Sequence, residues 1–314
     1  MPYIGAFLKI FYSINCAPPV IPSGSHIDEQ TSFVVIELIH EKSEMQASVA
    51  SWRNAGLTVA LVPTMGSLHD GHLSLVCQAA TRADKVVVTI YVNRSQFSEN
   101  EDFDHYPRTL HDDIAKLEKM GHCHCVYAPA KMYDDCHGTM VTPSGAARGL
   151  ETTTRPHFFT GVATIVLKLF QHVPAHFAMF GEKDFQQLSV VRQMVRDLDL
   201  QMEIVGAKTV RDKNGVALSS RNHYLSESQA KIAPHLYAQL CIIAQQLRQG
   251  INQETVLADS KKALINRGFE DVEYLEICDS LTLQPARDSL KNIRIMAAVR
   301  LGKTRLIDNI ALDD

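Results

Sequence analysis

An apolar run that breaks on glycine and resumes at helical spacing constrains this chain more than any other feature. Val59-Ala60-Leu61-Val62 reads as a buried strand, and Leu73, Leu75, Val76, Ala79 and Ala80 read as the apolar side of a helix. Between them lies Pro63-Thr64-Met65-Gly66-Ser67-Leu68-His69-Asp70-Gly71-His72. A strand that turns through glycine into a helix is expected to leave free backbone N–H groups at the helix start. With the helix dipole, those groups form an anion site. His69 and His72 are three residues apart, on neighbouring faces of the first turn, where each adds donors beside a phosphate. A single histidine there would read as a solvated turn residue. Two in H-x-G-H directly after a strand favour the functional reading.

The flanking pattern sets the fold class. Residues 33–38 read as a strand, and Lys42–Asn54 as a helix with Gly56 at its C′ position. Residues 86–92 form a continuous β-branched run, the mark of a strand buried on both faces. Residues 112–120 read as a helix closed by Gly121, Cys125–Tyr127 as a strand, 161–173 as a helix and 176–180 as a strand. Phe185, Leu188, Val191, Val195 and Leu198 make the next helical stripe, and residues 203–205 a further strand. This alternation predicts an α/β, doubly wound, Rossmann-like parallel sheet over residues 33–209. Three strands end in polar clusters, at Pro63, Asn93 and Gly181, and such sheets bind ligands beyond the carboxyl ends of their strands. From residue 210 the pattern changes. A hairpin-type turn at Asp212-Lys213-Asn214-Gly215 precedes helices over 227–248 and 253–267 and strands over 272–278 and 293–299. Residues 210–314 are therefore expected to form a second, smaller α+β domain.

Composition excludes several classes. A net charge of −4 gives no basic footprint for a nucleic-acid partner, and no apolar run is long enough to span a membrane. Seven scattered cysteines argue for reduced thiols and a cytoplasmic setting rather than a disulfide framework. His122-Cys123-His124-Cys125 with Cys136-His137 offers soft ligands without a C-x-x-C pair, so no resident metal site is expected. Strand alternation would send Cys123 and Cys125 to one face and the two histidines to the other. Residues 1–32 lack the cation and the uninterrupted apolar core of a signal peptide, and read as a poorly ordered extension.

Two further segments suit a polyphosphate. Gly181-Glu182-Lys183-Asp184-Phe185-Gln186-Gln187 opens a helix, with Lys183 and Gln187 one turn apart, a charge for phosphate, and Asp184 placed to accept from ribose hydroxyls. Leu218-Ser219-Ser220-Arg221-Asn222 puts two hydroxyls and a guanidinium in a loop ahead of a helix cap at Ser226. Either segment alone reads equally well as an ordinary helix start.

H-x-G-H resembles the nucleotide-binding signature of the nucleotidylyltransferase superfamily. The wider set resembles the pantothenate synthetase (pantoate–β-alanine ligase) family. It comprises Pro63 to Gly66 with His69-x-Gly71-His72, Gln96-Phe97 with Asn100-Glu101-Asp102, Tyr106-Pro107-Arg108-Thr109, Gly161 to Thr164, Gly181 to Gln187, Ser219 to Asn222, and Thr304 to Asn309. The resemblance runs in unbroken order from about residue 33. It implies ATP-dependent condensation of pantoate with β-alanine through pantoyl adenylate, with Mg2+ accompanying ATP, in a homodimer. It further implies that Met65, Gly66, Ser67, Leu68, His69, Asp70, Gly71 and His72 bind ATP, together with Gly181, Glu182, Lys183, Asp184, Val210, Leu218, Ser219, Ser220 and Arg221. His72 would be the proton donor, aided by His69, Lys183 and Arg221, while Gln96, Gln187, Asn93 and Arg155 would hold substrate. A nucleotidylyltransferase acting on a phosphorylated acceptor is the competing enzyme reading, and a weakened nucleotide-binding homologue the non-enzymatic one.

Two positions depart from the family pattern. Arg94 stands where the family has proline, which frees the loop and adds a charge beside the pantoate site. In Arg155-Pro156-His157-Phe158, the family's histidine position is Phe158, with His157 one place early. The loop is expected to adjust and keep activity, with weaker substrate affinity.

Overall fold

A computed structural model describes residues 35–98, 102–286 and 291–313. The extension expected over residues 1–32 lies outside them. The first sheet is built from β1 (Glu37–Ile39), β2 (Val59–Thr64), β3 (Lys85–Ile90), β4 (Cys125–Tyr127), β5 (Phe177–Gly181) and β6 (Glu203–Ala207). All its pairings are parallel, in the order β1-β4-β3-β2-β5-β6. The order reverses between β2 and β5, so the crevice beyond their carboxyl ends is a switch point of the kind that binds ligands in doubly wound sheets.

Side chains of β2 alternate between two cores. Val59 and Leu61 join Val87, Cys125 and Tyr127 under α1 (Lys42–Asn54), α5 (Phe158–His172) and α6 (Phe185–Asp197). Ala60 and Val62 join Val86, Val88 and Val126 under α2 (Asp70–Ala80) and α3 (Leu110–Met120). Both faces are covered, which is why β2 and β3 are apolar without alternation. Each buried Val or Leu contributes about 1.5–3 kcal/mol relative to exposure.

The second sheet is antiparallel, with β7 (Asp271–Asp279), β8 (Ile293–Leu301) and β9 (Thr304–Ala311) in sequence order. One face packs on α8 (Pro234–Arg248) and α9 (Gln253–Asn266) through Leu275, Ile277, Ile295 and Val299 against Leu240, Ile243, Leu247 and Leu264. Tyr274, Cys278, Met296 and Ala298 face the other way, into the core that holds α5 and α6. Both sheets therefore lie in one compact unit.

Several expectations are corrected. The helix expected over 227–248 is two helices, α7 (Glu227–Ile232) and α8, because Pro234 has no N–H to continue the ladder. Helix α7 starts at Ser226, whose side chain forms a capping box with Gln229. Among the described residues the first strand spans Glu37–Ile39, and residues 33–34 of the expected strand lie outside them. Cys123 and Cys125 do not share a face: Cys123 packs with Val88 and Cys125 with Val87. The strand begins only at Cys125, so alternation does not extend back to Cys123. His124 Nδ1 accepts the Val86 N–H at 3.1 Å. Among the described residues no group of three or more His, Cys, Asp or Glu is placed to hold a metal ion, and no helix is long and apolar enough to cross a membrane.

Candidate active site

A cleft of about 1150 Å³ opens beyond the carboxyl ends of β2, β3 and β5 and is lined on its far side by the second domain. Met65, His69, Gly71, His72, Asn93, Gln96, Arg155, Gly181, Lys183, Asp184, Gln187, Val210, Leu218, Ser219, Ser220 and Arg221 all reach its wall. Gly66, Ser67, Leu68, Asp70 and Glu182 do not; Asp70 is exposed outside it.

The turn after β2 is shaped from within. Gly66 and Ser67 have φ of 82° and 52°, left-handed conformations that bring consecutive N–H groups to one side. The Ser67 and Leu68 N–H groups donate to the two carboxylate oxygens of buried Asp113 at 2.8 and 2.7 Å. His69 is the N-cap of α2 and its Nδ1 accepts the Gly71 N–H at 3.1 Å. The donors expected to be free at this helix start are therefore largely engaged within the protein. What the segment presents to the cleft is Met65, Gly71 and the two histidine side chains.

His69 and His72 stack with ring centroids 4.0 Å apart. His72 Nδ1 faces the His69 N–H at 3.4 Å. With both Nδ1 atoms accepting, each neutral ring carries its proton on Nε2. Burial, then the charge of Lys183, pulls the His69 imidazole down to about 4. Burial, then His69 and Lys183, pulls His72 down to about 3. Both rings are neutral N–H donors at neutral pH, as the sequence reading expects of them, and the positive charge beside them is that of Lys183. A bound polyphosphate would oppose these shifts.

Lys183 and Asp184 sit in a short 3-10 turn between β5 and α6, with Nζ and the carboxylate 3.9 Å apart. Strands β8 and β9 fix this turn. Asn309 Nδ2 donates to the carbonyls of Glu182 and Lys183 at 3.0 and 2.8 Å. Arg294 donates to Asn309 Oδ1 at 2.7 Å and to Glu182 Oε2 at 3.0 Å, and stacks 3.9 Å over Phe185. Glu182 is thus a structural anchor. Arg221 Nη2 donates to Asp102 at 3.0 Å, and Ser220 Oγ lies 3.3 Å from the Tyr106 hydroxyl.

On the opposite wall, Asn93 Nδ2 donates to Gln96 Oε1 and to the Gly161 carbonyl, each at 3.2 Å. Gln96 Nε2 points at Met65 Sδ at 2.9 Å. Arg155 Nη2 donates to the Gln96 carbonyl at 3.1 Å, and its guanidinium lies 3.7 Å over the Phe158 ring. Phe158 lines the cleft while His157 is exposed outside it, so the loop has not swung His157 into the family position. Arg94 is also exposed, lies 4.8 Å over the Phe103 ring and does not reach the cleft wall, contrary to the charge expected beside the site.

A buried ionic cluster went unread in the sequence. Glu151, at the start of α4 (Glu151–Thr154), accepts two bonds from Arg305 of β9 at 2.8 Å and one from the Tyr274 hydroxyl at 2.7 Å. Arg305 also donates to Glu273 at 2.7 Å. Burial alone would push the Glu151 carboxyl up, but Arg305 and Tyr274 together hold it below the usual range. No periodicity signals this pair, because its members are 154 residues apart. Asp113 was equally unmarked, although an acidic residue in the first turn of a helix is itself ordinary.

Comparison with known proteins places these features in a family context. The family model for pantoate-beta-alanine ligase matches residues 37–311. A pantothenate synthetase from Bradyrhizobium sp. is 50% identical over 273 residues, 86% of this chain and 96% of that protein. One from Paramagnetospirillum magneticum is 45% identical over 280 residues, 88% and 98% of the two chains. The crystal structure of pantothenate synthetase from Thermus thermophilus superposes with a TM-score of 0.83 at 39% identity, covering 88% of this chain and 99% of that one. The pantoate-beta-alanine ligase of Francisella tularensis, complexed with beta-gamma ATP and beta-alanine, superposes with a TM-score of 0.74 at 30% identity over 89% and 99%.

Proposed function

The chain belongs to the pantoate–β-alanine ligase family, and from that premise we propose how its cleft performs the reaction. The protein is an ATP-dependent ligase that condenses pantoate with β-alanine. In the first step a pantoate carboxylate oxygen attacks the α-phosphorus of ATP, the bond to the β-phosphate bridge breaks, and pantoyl adenylate and pyrophosphate form. In the second, the β-alanine nitrogen attacks the acyl carbon, loses a proton, and expels AMP. The convergence of His69, His72, Lys183, Gln96 and Gln187 on one cleft at the switch point carries this reading.

The residue roles follow from charge and reach. Negative charge gathers on phosphate oxygens in the adenylation transition state, and preorganised donors stabilise it there. The Nε2–H groups of His69 and His72 and the ammonium of Lys183 supply those donors. His72 becomes a proton donor only as the polyphosphate raises its pKa. Met65, Gly71, Gly181, Asp184, Val210 and Leu218 to Arg221 line the nucleotide side, with Asp184 placed for ribose hydroxyls. Gln96 and Gln187 orient pantoate, with Asn93 and Arg155 fixing Gln96 in place. Residues 210–314 act as the lid domain over the 33–209 domain, excluding water from the hydrolysable acyl adenylate.

Mg2+ enters with the triphosphate. Such a cation keeps several of its waters and binds mainly substrate phosphates. Asp184, on the cleft wall 3.9 Å from Lys183, is a carboxylate that would hold it, and the ion would neutralise phosphate charge. The cytoplasmic setting rests on the seven scattered cysteines, an odd number that fits no disulfide framework. The homodimer rests on family membership alone and is checked by sedimentation.

The test is AMP release by purified protein with ATP, Mg2+, pantoate and β-alanine, omitting each in turn. AMP that requires both organic substrates, with pantoate-dependent exchange of pyrophosphate into ATP when β-alanine is omitted, is the expected result. Exchange without pantoate would overturn the adenylate route.

A further inference from the structure

We propose that Asp113 is a positioning residue for ATP: its carboxylate fills the anion-binding concavity of the turn after β2 and so holds the stacked His69–His72 pair at the cleft. The inference rests on the reading above for the identity of the ligand.

Asp113 is fully buried, with no exposed side-chain surface. Its Oδ1 accepts the Leu68 N–H, and its Oδ2 accepts the Ser67 N–H and, at 3.1 Å, the Thr109 hydroxyl. Two consecutive N–H groups pointing at one carboxylate are the arrangement by which a backbone turn captures a phosphate or similar anion. Here the anion is part of the protein. A Cβ at Gly66 would stand 3.1 Å from Asp113 Oδ2 and from Ile90, so the carboxylate also fills the space beneath the turn.

The same helix grips the turn a second time. Lys116, one turn along α3, donates to the Leu68 carbonyl at 2.7 Å, and its Nζ lies 3.9 Å from Asp113. The Leu68 peptide unit is thus held by its N–H through Asp113 and by its carbonyl through Lys116. His69 follows immediately and caps α2. Without the carboxylate, Ser67 at φ 52° loses the bond that compensates its unfavourable conformation, and the histidine rings lose their fixed origin.

The arrangement also explains how the cleft reads its substrate. A turn of this shape with an empty concavity would bind an anion directly. With Asp113 in place it cannot, and the polyphosphate is left to the side chains of His69, His72 and Lys183.

The experiment compares wild type with Asp113→Asn, Asp113→Ala and Lys116→Met. It measures KM and kcat for each substrate, the ATP dissociation constant by calorimetry, and the effect of added formate. Asp113→Asn turns one acceptor into a donor facing an N–H, and is expected to weaken ATP binding about tenfold or more with the pantoate KM nearly unchanged. Lys116→Met, whose side chain is half-exposed, should fold normally and weaken ATP by about threefold. Formate should partly restore ATP affinity to Asp113→Ala and leave wild type unaffected, because only the variant has a vacated concavity. Equal losses toward ATP and pantoate without formate rescue would assign Asp113 a purely structural role and overturn the proposal. Wild-type ATP affinity in both Asp113→Asn and Lys116→Met would also overturn it. If an Asp113 variant fails to fold, Lys116→Met decides: unchanged ATP affinity there counts against the proposal. Failure of wild type to release AMP would refute the ligase reading separately, since the calorimetric comparison does not depend on turnover.

Discussion

At the scale of single residues, burial decides protonation. His172 is buried against the Tyr127 hydroxyl at 2.8 Å, and burial, with Lys42 and Lys168 behind it, pulls its imidazole down to about 4. His69 and His72 are shifted the same way. From the ordinary value of 6.5 down to the folded values, the unfolded chain binds protons that the folded chain does not. This contribution to stability is complete above that range and is lost as pH falls through it. Urea midpoints followed from about pH 7.5 to about pH 4.5 should therefore fall, and His172→Gln should flatten the slope. Phe158 carries a second prediction. Its ring supports the Arg155 guanidinium at 3.7 Å where the family pattern has histidine. Phe158→His should lower the KM for pantoate, measured at saturating ATP; an unchanged value would exclude this loop as a determinant of affinity. His69, His72 and Lys183 were readable because their residue types sit at a strand end. Asp113 and Glu151 were not, because a buried acid is defined by partners distant in the chain.

At the scale of elements, close approach does the positioning. Helix α5 passes so near the Asn93–Gln96 segment that a Cβ on Gly161 would fall on the Ser95 carbonyl and lie 2.8 Å from the Gln96 nitrogen. Gly161→Ala must push that segment away, at a cost of about 1–3 kcal/mol. The pantoate KM should rise more than the ATP KM, because His69 and Lys183 stand on other elements; steady-state kinetics with each substrate varied would show the split. Most of the parallel sheet could be read in advance because strands buried on both faces are unbroken apolar runs, such as Val59–Val62 and Phe177–Phe180. Strand β9 was read only as a motif. Its Asp308 and Asn309 are buried polar residues that interrupt alternation, and Asp308 is held by both arms of Arg211. Helix α5 begins earlier than its glycine suggested, since Phe158 and Phe159 are already in its first turn.

At the scale of the whole molecule, the two sheets are joined by charge as well as by apolar contact. The Glu151–Arg305–Glu273 cluster ties α4 to β7 and β9, with Glu151 and Arg305 in the cleft lining. Breaking a buried pair by removing one charge costs about 3–5 kcal/mol. The chain has one tryptophan, Trp52, on α1 beside the parallel-sheet core, whereas far-UV circular dichroism reports on both sheets. In wild type the two signals should lose structure at the same denaturant concentration. In Glu151→Gln the midpoints should fall and separate, the second sheet melting first. The connection also orders events during biosynthesis. Translation delivers β2, the histidines and Lys183 long before β9, yet Asn309 and Arg305 are what fix the Lys183 turn and Glu151. A nascent chain that has emerged only as far as β8 holds most of the site's chemical groups without the strand that sets their geometry. On the proposed reading, the geometry that receives ATP is therefore expected to form only once β9 has emerged.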